Sequence, residues 1–267
     1  LIGDHGIAEF GVLDGDLAIV DRVETLAPAR SGADRIRGGD GRDIAFGGGD
    51  ADRVLAGGAD DAVDVVVGDD GEAVFAPDGT LTEIRTTDPD RGAADVITAG
   101  NGADVILGGA GADVILAATA GESEDVDAIL AAVESGDYAA IDPGDDAGDV
   151  VVGDDGEALF TEAGEIFEIR TAAPAFGAGD VIVTGDGPDV VLAGSGDDLV
   201  VAGGGNDADV VVGDNGLAFF DPARPESVLR RIVTTDPEFG GADEILTGNG
   251  PDVVLGGSAG DVDRKSV

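Results

Sequence analysis

The sequence predicts an all-β protein: a layered β-solenoid carrying inserted β-hairpins and one short helix. Three observations predict it. Glycine supplies 47 of the 267 residues, more than twice the usual share, so tight turns must be frequent. The apolar residues fall in short bursts of Val, Ile, Leu and Ala, as in many short strands joined by such turns. An acid also recurs every nine residues in four separate runs, and a fixed period of that kind marks stacked structural units.

The beat runs through Asp34, Asp43 and Asp52; through Asp95, Asp104 and Asp113; through Asp180, Asp189, Asp198 and Asp207; and through Asp243, Asp252 and Asp261. A longer repeat is laid over it. A Gly-Asp-x-Gly element opens each unit: IGDHGIAEF at 2–10, VVGDDGEAVF at 66–75, VVGDDGEALF at 151–160 and VVGDNGLAFF at 211–220. The chain divides accordingly into a partial or first unit over 1–67, a unit with a helical insert over 68–152, a third over 153–212 and a truncated one over 213–267. Both ends read as cut from a longer array.

After each opening element the chain reads as a β-hairpin. Apolar bursts flank Pro77-Asp78-Gly79 in the second unit and Glu162-Ala163-Gly164 in the third, and Pro-Asp-Gly is a strong turn signal. The corresponding turn in the last unit is the longer 221–225. Phe75, Phe160 and Phe220 hold one place in these strands, where they serve as anchors for the hairpin. The helix is expected at 123–136. Val126, Ile129, Leu130 and Val133 share one helical face, with Ser123 as the cap, Glu124 and Asp125 in the first turn and Gly136 just past the end. Tyr138 is expected to pack beside it.

Charge narrows the partners. There are 57 acids against 14 Lys and Arg, for a formal net charge of -43, so the chain repels nucleic acid and anionic membrane. Bound metal ions or a screening, salty milieu would each answer that charge, and a halophilic or high-GC origin would also explain why Lys265 is the lone lysine. The lack of Cys removes disulfides and thiolate metal sites. No stretch is long and apolar enough for a membrane span, and the start is not a signal peptide.

The segment GNGADVIL at 100–107 carries the chemistry. Gly100 and Gly102 permit a tight turn that aims carbonyl oxygens inward, and Asp104 adds a carboxylate at its exit. Hard oxygen donors in a crowded, adaptable loop suit Ca²⁺, whereas Mg²⁺ demands a stricter octahedron. With no Cys and only His5, zinc has almost nothing to hold.

These segments resemble the RTX, or hemolysin-type, calcium-binding repeat, whose pattern is Gly-Gly-x-Gly-x-Asp-x-apolar-x. The nearest matches are GGAGADVIL (108–116), AGSGDDLVV (193–201) and GGDGRDIAF (38–46). The resemblance implies a parallel β-roll in which two nonapeptides make one coil, turns eighteen residues apart stack, and Ca²⁺ sits between them. Implied pairs are Asp34 with Asp52, Asp95 with Asp113, Asp180 with Asp198, Asp189 with Asp207 and Asp243 with Asp261. Asp43 and Asp104 lack a clean partner, so their sites are expected to be weaker, or completed by Asp64 and Asp125. Carbonyls would come from the turn glycines Gly39, Gly41, Gly100, Gly102, Gly109, Gly111, Gly185, Gly187, Gly194, Gly196, Gly248 and Gly250. Asp69, Asp154 and Asp214 of the opening elements would close the last coil of a run.

The chain departs from that pattern in informative ways. TGDGPD (184–189) and TGNGPD (247–252) lack the first glycine, which makes that glycine the dispensable one. Ala45 stands where a large inward residue is expected, so its coil is expected to be shifted or poorly filled. The strands DVIL, DVVL and DLVV are apolar on both sides of the inward residue, which reads as burial on both faces. Hairpins, helix or neighbouring coils would then cover the roll; the rival is a bare roll that assembles sideways.

No catalytic constellation stands out. His5 is the one histidine, no nucleophile elbow occurs, and the acids recur at the same place in every unit, whereas an active site is single. Two functions remain. One is a calcium-binding structural region of a large secreted or cell-surface protein (an adhesin, spacer or surface layer) that folds on calcium binding and associates with neighbouring units or itself. The other is a calcium-dependent export module of a secreted protease, lipase or epimerase. The resemblance places either outside the cell, exported by a type I-like route.

Overall fold

The computed structural model describes residues 1–13, 17–26, 28–58, 60–118, 127, 128, 131, 132, 135, 147–203, 205–222 and 228–265. The chain winds through three sheets whose order in space follows the order in sequence. The first sheet holds β4 (Ile44–Phe46), β6 (Val65–Val67), β10 (Val105–Leu107), β12 (Val150–Val152), β16 (Val190–Leu192), β18 (Val210–Val212) and β22 (Val253–Leu255), all paired in parallel. The second holds β3 (Arg35–Gly39), β5 (Arg53–Gly57), β9 (Val96–Thr98), β11 (Val114–Leu116), β15 (Val181–Thr184), β17 (Leu199–Ala202), β21 (Glu244–Thr247) and β23 (Val262–Lys265), also parallel throughout. The chain crosses between these two sheets strand by strand, so each circuit adds one rung to both.

The third sheet is antiparallel and made of hairpins alone. They are β1 (Gly6–Leu13) with β2 (Leu17–Thr25), β7 (Gly71–Phe75) with β8 (Leu81–Thr86), β13 (Gly156–Phe160) with β14 (Ile166–Thr171), and β19 (Gly216–Asp221) with β20 (Val228–Thr234). Each of the last three leaves the winding after a first-sheet strand and returns to the second sheet. Gly79 and Gly164 take positive φ at the turns expected for them. The longer turn of the last hairpin lies mostly outside the described residues.

Side-chain alternation explains the layering. In a strand with one acid and three apolar residues, the middle apolar residue faces one way and its neighbours the other. Ile106, Val191 and Val211 of the first sheet meet Ile115, Val200 and Ile245 of the second in one core. The flanking Val65, Val67, Leu107 and Leu192 point to the opposite face, where they pack on Ala73, Ile84, Ala158, Ile169 and Ala218 of the hairpins. Burying such a side chain is worth about 1.5–3 kcal/mol, so the covered roll prevails over the bare one. Phe75, Phe160 and Phe220 join this second core, each just past a β-bulge in its hairpin.

The outward face of the hairpin sheet is charged. Glu72 receives both Arg22 and Arg85, and Glu157 pairs with Arg170. On the far side of the roll, Leu116, Val183 and Val201 of the second sheet pack with Ala132 from the insert.

One expectation needs correction, and a second finds no support among the described residues. The coil at Ala45 is neither shifted nor empty: Ala45 pairs in register with Val66, and both it and Phe46 are fully buried. The small residue serves the inner core while Phe46 fills the hairpin side. The helix at 123–136 is not supported. Most of that segment and Tyr138 lie outside the described residues; Asp127, Ala128, Ala131, Ala132 and Ser135 are helical in conformation, and among the described residues no α-helix is delimited.

Candidate metal-binding edges

The bends that join the two parallel sheets form two edges. On the first edge the chain passes from first-sheet strand to second-sheet strand, and each bend ends in an acid that enters the next strand. These acids stack as Asp34, Asp52, Asp95, Asp113, Asp180, Asp198, Asp243 and Asp261. The backbone N–H of each donates to Oδ1 of the next, from 2.6 Å for Asp34 to Asp52 up to 3.3 Å for Asp243 to Asp261. The second edge repeats the arrangement with Asp43, Asp64, Asp104, Asp149, Asp189, Asp209 and Asp252, over 2.7–3.3 Å. Both ladders run unbroken across the hairpins and the insert.

Four of the expected pairs stand next to one another: Asp34 with Asp52, Asp95 with Asp113, Asp180 with Asp198, and Asp243 with Asp261. Asp43 meets Asp64 as anticipated. Asp189 does not meet Asp207, which is exposed; it meets Asp209. That bend is longer, since Asp209 stands seven residues after Ala202 where Asp113 stands five after Gly108. Asp104 is set against Asp149, and Asp125 lies outside the described residues. The beat therefore missed Asp149 and Asp209, although both begin the same DVVV stretch as Asp64.

Asp69, Asp154 and Asp214 do not stand in either ladder. Each accepts backbone N–H groups from two chain segments: Asp69 from Ala93 (3.2 Å) and Ala110 (2.6 Å), Asp154 from Ala178 (3.1 Å) and Ser195, Asp214 from Gly241 (2.9 Å) and Ser258. They clip the chain returning from a hairpin to the adjacent bend, and their oxygens are taken by amides. Among the expected carbonyl donors, Gly39, Gly41, Gly100, Gly102, Gly109, Gly111, Gly194 and Gly196 adopt positive φ, a conformation that favours glycine. Gly187 and Gly250, each followed by proline, do not.

Whether a cation fits is decided by the second carboxylate oxygen. On the first edge, Oδ2 of Asp52, Asp95, Asp113, Asp180, Asp198 and Asp243 is buried without a hydrogen-bond partner, an arrangement too costly for an ionised carboxylate unless something positive completes it. Each bend of this edge opens with a residue that sits beside its own acid: Gly3, Gly47, Gly68, Gly108, Gly153, Ala193, Gly213 and Gly256. A methyl group built on Gly68 would collide with the Gly108 carbonyl oxygen and lie 2.6 Å from Asp95 Oδ2; on Gly108 it would meet the Gly153 carbonyl and lie 2.8 Å from Asp113 Oδ2. On this edge the first glycine is thus the one that leaves the oxygens accessible. A hard, oxygen-seeking cation suits this donor set. Among the described residues no three His, Cys, Asp or Glu side chains converge on one point, so carbonyl oxygens must supply most of the shell.

Electrostatics agrees. Burial, reinforced by neighbouring carboxylates, pushes Asp95 up to about 9, Asp198 to about 8, and Asp52 and Asp243 to about 7, and raises Asp113 and Asp180 well above the usual carboxylate range. Without a cation the edge holds protons instead.

A stacked roll with carboxylates and carbonyls converging at its bends defines a metal-binding repeat protein. The family described as RTX calcium-binding nonapeptide repeat (4 copies) matches residues 29–63, 91–118 and 175–208. The chain therefore carries RTX repeats in these segments, and calcium is their cation. Comparison with curated proteins and with solved structures gives no match.

Proposed function

We propose that this region is a calcium-dependent structural segment of a large secreted or cell-surface protein, an adhesin, spacer or surface-layer component, and that it folds as calcium binds. The observation that carries the reading is the row of buried, unpartnered Oδ2 atoms beside the first-edge glycines. Such a row opposes folding until a divalent ion bridges it, so binding and folding share one free energy. Because the same acid recurs at the same place in every coil, the ions act as staples along a rod and the chain as scaffold. Extracellular calcium is millimolar, the range in which weak extracellular sites fill, and export by a type I-like route would keep the chain expanded until it meets that calcium.

Titrating metal-free protein with Ca²⁺ while following circular dichroism tests this, with Mg²⁺ as control. A cooperative gain of β signal at or below millimolar calcium is expected. A β signal indifferent to EGTA would overturn it.

A further inference from the structure

The two edges share one ladder of acids and differ at the residue that opens each bend. On the first edge that residue is glycine in every bend but the one at Ala193. On the second edge Gly38 and Gly57 stand there, where a methyl would meet the Ala56 or Ala99 carbonyl and Oδ2 of Asp43 or Asp64, and strand register then places Ala99, Ala117, Thr184, Ala202 and Thr247. These last five are fully buried, and the three alanines belong to the core between the parallel sheets, so their methyl groups point inward. That is the space into which Oδ2 and the carbonyls open on the first edge. Thr184 shows what happens when a side chain enters it: its hydroxyl donates to Oδ2 of Asp189, the acid of its own bend.

Calcium requires six to eight oxygen ligands at 2.3–2.6 Å. A methyl inside the bend supplies none and occupies the approach, and the Thr184 hydroxyl saturates the carboxylate oxygen the ion would need. We infer that calcium loads along the first edge and the Gly38 and Gly57 bends alone, and that from Ala99 onward the second edge is held shut by its own side chains, an internal rather than ionic staple. The Ala193 bend is the one break in the loaded edge. The inference rests on the calcium-dependent reading above, and it makes the roll asymmetric, with ions along one seam and hydrocarbon along the other.

Crystals grown in calcium, with ions located by anomalous scattering, test it on the unaltered chain, and ion counts per chain by isothermal titration extend the test to Thr184→Gly. Ions between first-edge bends and none at the Ala99, Ala117 and Thr184 bends are expected, with one additional ion per chain in Thr184→Gly. Ions in those second-edge bends of the unaltered chain would overturn the inference and leave calcium-dependent folding standing. So would an unchanged count in a folded Thr184→Gly. A chain that binds no calcium on either edge would sink both readings together.

Discussion

At the scale of single residues, glycine at the head of a bend and aspartate at its exit divide the work. The aspartate uses Oδ1 to hold the preceding coil through an amide and keeps Oδ2 for a cation, so the same side chain stacks the roll in both states. Gly108→Ala probes the division. Its new methyl would meet the Gly153 carbonyl and come within 2.8 Å of Asp113 Oδ2, and overpacking of that kind costs about 1–3 kcal/mol. Denaturation in saturating calcium should lose that much, together with one bound ion. At Gly260 a methyl would meet nothing within 4 Å, so Gly260→Ala should stay within about 0.5 kcal/mol of the parent. Equal losses in the two variants would remove the special role given to the bend-opening glycine. Most of the acids were legible because the nonapeptide counts them. Asp149 and Asp209 were not, since a count fails once a bend lengthens, whereas the acid-Val-Val-Val stretch they share with Asp64 survives any insertion.

At the scale of elements, the hairpins were legible from their turn residues, and their destination was only half legible. Apolar residues on both sides of the inward one announced a covering layer. They did not say that the hairpins would join into a sheet of their own, because that depends on register between units far apart in sequence. Two devices set that register. Threonine hydroxyls bridge successive hairpins, with the Gly71 N–H donating to Thr25 Oγ1 (3.0 Å), Gly156 to Thr86 (3.1 Å) and Gly216 to Thr171 (3.1 Å). The clip acids Asp69, Asp154 and Asp214 then fasten each returning chain to the roll. Thr86→Val keeps the shape and removes one bridge, which should cost about 1 kcal/mol. Asp154→Ala frees the amides of Ala178 and Ser195; with hydrogen bonds to charged groups worth about 1.5–3 kcal/mol, it should cost more. Hydrogen exchange would separate the two. Asp154→Ala should lose protection at 177–180 and 194–196 before the strands, and uniform loss along the chain would contradict the clip.

For the whole molecule, the acids that make the fold calcium-dependent also make its metal-free form depend on pH in an unusual direction. On the first edge Asp95 is pushed up to about 9, Asp198 to about 8, and Asp52 and Asp243 to about 7, burial being the largest cause in each. In the unfolded chain these carboxylates titrate near their ordinary value of about 4. Between about pH 4 and 9 the metal-free fold therefore binds more protons than the unfolded chain, and its stability falls as pH rises. Protons and calcium become alternative staples for one edge. In EGTA the β signal should be strongest near pH 5 and fade toward pH 8, where adding calcium restores it and releases protons to the buffer. A metal-free fold that gains stability from pH 5 to pH 8 would show that the ladder carboxylates are already neutralised by something other than protons or metal, and the account of the edge would fail with it.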